Sequence, residues 1–126
     1  LWMVFAGLKG FLSSKKNDST KVVVFTSDEE IGSLTAGGAD SSFIQNILER
    51  ITIALNKRRE EYFIALKNSI MISADLAHAL HPNKAEKYDP TNKPLLGKGP
   101  VIKSAASGSY SSDGYTTAIF KEICSI

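Results

Sequence analysis

The sequence predicts an α/β layered fold, and three observations carry that prediction. Residues 21–25 place three valines and a phenylalanine in a row, and residues 70–72 read Ile-Met-Ile. Short apolar runs rich in β-branched residues suit strands covered on both faces, which occur most often in parallel sheets. The stretch between them has helical periodicity and is long enough for the crossover that a parallel pair requires. The expected order is helix, strand, helix, helix, strand, loop, strand, helix. Alternation of this kind gives a mixed, largely parallel sheet flanked by helices.

Each element has its own signal. Leu1, Phe5, Leu8 and Leu12 recur at helical spacing, which predicts an amphipathic first helix. Residues 13–20 are polar and turn-like. The first strand follows, and residues 26–39 form a loop rich in small and acidic residues. Asp40 is placed to cap a second helix, whose apolar face carries Ile44, Ile47, Leu48, Ile51 and Leu55. A third helix spans residues 59–68. The second strand lies in residues 69–74. All four prolines, Pro82, Pro90, Pro94 and Pro100, fall in residues 76–100, which reads as loop. Residues 101–105 are the third strand. A last helix starts at Ser112 or Asp113, with Ile119, Ile123 and Ile126 along one face.

The 126 residues suffice for one domain, or for a piece of a larger one. The first residue is not an initiator Met, which suggests a fragment. The net charge of +2 gives little long-range steering towards nucleic acid or an anionic membrane. Lys15-Lys16 and Lys57-Arg58-Arg59 read as solvated helix ends. No apolar run approaches a membrane span. The apolar start lacks a cationic leader and a small-residue cleavage site, so it reads as a helix. The single cysteine, Cys124, allows no internal disulfide and suits a reducing compartment. Late in a predicted helix, it reads as a packing residue.

Both apolar runs end in carboxylates: the first in Asp28-Glu29-Glu30, the second in Asp75. In parallel strands these sites would share the carboxyl edge of one sheet, where open α/β sheets place their ligands. Adjacent acidic residues repel one another, and a cation relieves that repulsion. Carboxylate oxygen and imidazole nitrogen are zinc donors. The only histidines, His78 and His81, lie just after Asp75. One of two adjacent glutamates could bind metal while the other takes a proton from water. A solvated loop or the first turn of a helix has the same composition, so spacing alone leaves both readings open. The glycines at 97 and 99 match no phosphate-loop pattern. Ser33 has no nucleophile-elbow neighbours.

The run Ile-Ser-Ala-Asp-Leu-Ala-His-Ala-Leu-His-Pro-Asn at residues 72–83 resembles a signature of aspartyl aminopeptidases and the related vacuolar-type aminopeptidase I. Lys-Pro-Leu-Leu-Gly-Lys-Gly-Pro-Val-Ile-Lys at residues 93–103 matches the same family, as does Glu-Glu-Ile-Gly-Ser at residues 29–33. Three collinear motifs make the resemblance specific. It implies a zinc-exopeptidase catalytic domain (phosphorylase/hydrolase-like) and a metallo-aminopeptidase that removes N-terminal residues, acidic ones above all, from peptides. It also implies two zinc ions per complete site, a cytoplasmic or vacuolar location and a tetrahedral homo-dodecamer. By resemblance, Glu29 is the general base, while Glu30 and Asp75 are ligands of the two different zinc ions. His78, Lys103 and Tyr110 line the substrate site beside Glu29 and Asp75. Asp28 receives no role.

The chain also departs from that family. The family's His-x-Asp ligand motif, its bridging Asp in an Asp-Asp-Arg segment and its last ligand His have no counterpart here. The resemblance therefore implies that residues 1–126 are the central part of the catalytic domain, without the separate dimerisation domain. The isolated chain is expected to be inactive. The alternative is an inactive scaffold or interaction domain that keeps the peptidase fold.

Overall fold

The computed structural model describes residues 1–125, so Ile126, placed above on the apolar face of the last helix, lies outside the described residues. Two units arise, Leu1–Leu76 and Ala77–Ile126. The first carries α1 (Trp2–Ser13), a 3-10 helix (Glu29–Ile31), α2 (Phe43–Ala54) and α3 (Arg59–Lys67). The second carries a 3-10 helix (Pro82–Lys87) and α4 (Gly114–Cys124).

In the first unit α2 and α3 form a helical hairpin. The turn is a complete Schellman motif: Asn56 N–H bonds the Ile53 carbonyl at 2.9 Å and Lys57 N–H bonds that of Thr52 at 3.1 Å. Asn56 takes the left-handed conformation, φ 57°, which Asn accepts more readily than most residues. Tyr62 packs back onto α2. It is 6% exposed and is the one buried hydrophobic side chain among the described residues. Its hydroxyl donates to the Gln45 carbonyl at 3.4 Å, and Arg59 Nε meets Glu49 Oε1 at 2.8 Å. The Glu61 carboxylate accepts from Arg58 N–H at 2.9 Å and so covers a free donor at the start of α3.

The cap expected at Asp40 is not made. α2 starts at Phe43 with Ser42 in the cap position. Asp40 N–H is bonded to the Ser33 carbonyl, which holds it in the preceding loop. Ser41 Oγ instead accepts from Phe43 N–H at 3.2 Å.

In the second unit α4 starts where the sequence predicts. Asp113 Oδ1 accepts from Thr116 N–H at 2.7 Å, and Thr116 Oγ1 accepts from Asp113 N–H at 3.0 Å. This reciprocal box satisfies donors the helix cannot. Cys124, expected to pack, is exposed. Part of the predicted 76–100 loop is the Pro82–Lys87 3-10 helix, with Pro82 where its missing N–H costs nothing.

Residues 21–25, 69–74 and 101–105 form no strand among the described residues. A strand needs a partner to bond its backbone and a layer to cover its faces. Val22, Phe25, Ile70, Met71 and Ile72 remain exposed. No described helix is long and apolar enough to cross a membrane.

Candidate active site

Glu29 and Glu30 are the first two residues of the 3-10 helix that follows residues 21–28. Asp28 precedes them with φ 65° and ψ 24°, a left-handed conformation that Asp tolerates through local hydrogen bonding. Its carbonyl accepts from Ile31 N–H at 3.2 Å and from Ser33 N–H at 3.0 Å. Its carboxylate accepts from Thr35 Oγ1 at 2.5 Å and from Ser27 Oγ at 3.1 Å. Ser27 N–H donates to the Gly37 carbonyl at 3.3 Å, and Gly38 N–H donates to the Thr35 carbonyl at 3.0 Å. The loop is thus tied across its base. The carboxyl-bearing residues Glu29 and Glu30 stay exposed.

Gly38 makes this closure possible. Its backbone is buried, and a Cβ there would stand 2.1 Å from the Ser33 carbonyl oxygen. Ser33 itself has φ 61°. It acts as a backbone turn in this loop.

Asp75 is exposed near the end of the first unit, with Oδ1 accepting from Leu76 N–H at 2.7 Å. Among the described residues, no three His, Cys, Asp or Glu side chains converge as a metal-holding group. The donor type still suits zinc, which accepts carboxylate oxygen. Glu30 and Asp75 offer donors of that type, and a zinc site uses three or four.

In the second unit His78 is exposed. The segment after it is well anchored: the Tyr88 hydroxyl donates to the Ala79 carbonyl at 2.6 Å, and Leu80 N–H donates to that of Pro94 at 2.8 Å. His81 Nδ1 accepts from Asn83 N–H at 3.1 Å, so one of its ring nitrogens caps the 3-10 helix. The Asp89 carboxyl is held below the usual aspartate range by the N–H groups of Asn92 and then Thr91. Lys103 and Tyr110 come together, with the Lys103 ammonium 6.0 Å from the centroid of the Tyr110 ring. Lys103 is half-buried and Tyr110 exposed.

The hydrogen bond between Asp28 and Thr35, seven positions apart, has no signal in the sequence.

Comparison with known proteins places these residues in a family. The model of the aminopeptidase I zinc metalloproteases (M18) matches residues 1–126. The chain is 53% identical over 122 residues to the probable M18 family aminopeptidase 2 of Clostridium novyi (strain NT), covering 97% of this chain and 28% of that protein. It is 44% identical over 107 residues to the protein of the same name from Borreliella burgdorferi, covering 85% of this chain and 25% of the relative. A chain in the cryo-EM structure of the Ape4 and Nbr1 complex superposes with a TM-score of 0.68 at 37% identity. That match covers 76% of this chain and 18% of the other. The chain thus spans little more than a quarter of the length of its first curated relatives. With the family model matching from end to end, the chain belongs to the M18 family of zinc metalloprotease aminopeptidases.

Proposed function

We propose that the intact protein carrying residues 1–126 is a dinuclear-zinc aminopeptidase that removes acidic N-terminal residues from peptides. The observation that carries this reading is the Glu29–Glu30 pair, presented exposed on a tied 3-10 turn in a chain matched throughout by the family model. Zinc bound at such a site supplies Lewis acidity and makes water a better nucleophile at neutral pH. Glu29 takes a proton from the attacking water and later delivers it to the leaving amine. Glu30 and Asp75 hold metal, and ligands from outside residues 1–126 complete the site. His78 contacts the substrate. Lys103, steadied by the Tyr110 ring, pairs its ammonium with the acidic side chain of the residue to be removed.

The same reading makes the fold α/β. Residues 21–25, 69–74 and 101–105 pair with strands from the remainder of the protein, which would also cover their exposed apolar side chains. It extends to a dodecameric assembly and a cytoplasmic or vacuolar location.

The test is peptidase assay and metal analysis of the intact protein beside its Glu29→Gln variant. The substitution keeps the side-chain shape and removes the base. Loss of general base catalysis costs on the order of a hundred- to ten-thousandfold in rate, with zinc retained. Full activity in Glu29→Gln would refute the role of Glu29. An intact protein that binds no zinc and cleaves no peptide would favour the scaffold reading.

A further inference from the structure

We infer that Asp28 is a positioning residue, whose carboxylate, clamped by Thr35, fixes the direction in which Glu29 and Glu30 leave the chain. The inference rests on the roles proposed for those two glutamates. Asp28 adopts the left-handed conformation at the residue immediately before them. Few residues other than glycine do so without local support. The support is visible on both sides of the residue. Its carboxylate accepts the Thr35 hydroxyl at 2.5 Å and the Ser27 hydroxyl at 3.1 Å. Its carbonyl accepts two N–H groups, those of Ile31 and Ser33, which close the turn bearing both glutamates. The 2.5 Å separation lies in the range of a charge-assisted O–H···O⁻ bond.

The partner is itself held. Thr35 is half-buried, and its carbonyl accepts from Gly38 N–H, the residue wedged beneath Ser33. The Asp28–Thr35 bond therefore joins the turn to the far side of the loop. If it is lost, the left-handed conformation of Asp28 keeps only the Ser27 contact and the two N–H bonds to its carbonyl, all within the turn itself. Both following carboxylates then swing with the backbone, because the 3-10 turn starts at that residue. A base must hold its place relative to the water it deprotonates, and ligands must hold theirs relative to metal. Asp28 contributes to both through the geometry of the turn it opens.

The experiment uses the intact protein and four variants. Thr35→Val removes the hydroxyl, and Thr35→Ser keeps it. Asp28→Gly keeps access to positive φ without the carboxylate. Asp28→Asn keeps one acceptor oxygen and tolerates positive φ. Zinc affinity by chelator competition, kcat, KM and the thermal midpoint are measured for each. Loss of supporting contacts behind metal ligands costs on the order of ten- to a hundredfold in metal affinity or activity. Thr35→Val and Asp28→Gly are expected to fall by that amount in zinc affinity and kcat, with KM and midpoint close to the parent. Thr35→Ser should restore both, and Asp28→Asn should retain most of each. Parent-like zinc affinity and kcat in Thr35→Val and Asp28→Gly, beside an inactive Glu29→Gln, overturn this inference alone. Equal losses in Thr35→Ser and Thr35→Val with a lowered midpoint overturn it as well, since the effect is then one of stability. Full activity in Glu29→Gln overturns the inference together with the reading beneath it.

Discussion

Gly38 lies so close under Ser33 that a Cβ at residue 38 would meet the Ser33 carbonyl oxygen at 2.1 Å and its carbonyl carbon at 2.5 Å. These are backbone atoms and cannot rotate away. Gly38→Ala must therefore open the loop that presents Glu29 and Glu30. Forced overpacking of this kind costs about 1–3 kcal/mol. Denaturant titration of the intact protein should show a lowered midpoint, accompanied by weaker zinc retention. An unchanged midpoint would show that the loop has slack the structure does not display.

The α2–α3 hairpin depends on Tyr62, 6% exposed between the two helices. Truncating a buried aromatic to alanine costs about 3–5 kcal/mol. Tyr62→Phe keeps the ring and loses a hydrogen bond of 3.4 Å, which is worth no more than about 1.5 kcal/mol. Thermal unfolding of the two variants should differ accordingly. Similar losses in both would assign the stabilisation to the hydroxyl.

The start of α4 should respond to acid. The Asp113 carboxyl lies below the ordinary aspartate value of 3.8, held there first by the Thr116 hydroxyl and then by Thr116 N–H. A depressed carboxyl stabilises the folded state above its unfolded value, and the contribution disappears as pH falls through the lower folded value. Amide protection in the first turn of α4 should therefore be constant from neutral pH down to about 5 and drop below the ordinary carboxyl range. Asp113→Asn retains a cap oxygen without a titrating group. Its profile should be flat, and an acid-sensitive profile in that variant would place the responsible group elsewhere.

Lys103 should govern the choice of substrate. Its ammonium lies 6.0 Å from the Tyr110 ring. A hydrogen bond to a charged group is worth about 1.5–3 kcal/mol. Lys103→Met should lower kcat/KM for peptides beginning with Asp or Glu by roughly ten- to 150-fold, from the same range. Peptides with a neutral first residue should change by less than about threefold, since they lack the partner charge. Equal losses for both classes would remove Lys103 from the acidic pocket.

Local chemistry determined much of this protein from the sequence alone. The four α-helices follow from apolar periodicity over three or four residues, and such signals are contained in the chain itself. Family membership followed from three collinear motifs for the same reason: side-chain identity needs no tertiary context. The tertiary structure decided what depends on contacts across a loop. It put Ser42 rather than Asp40 in the cap position of α2, with Ser41 Oγ accepting from Phe43 N–H, because the bond from Asp40 N–H to the Ser33 carbonyl holds Asp40 in the preceding loop. It also turned Asp28 from one of three adjacent acids into the residue bonded to Thr35, seven positions away. Residues 21–25 read as a buried strand because their composition suits one, yet a strand is defined by its partner. Its burial and pairing are properties of a sheet, which no single run of residues can form.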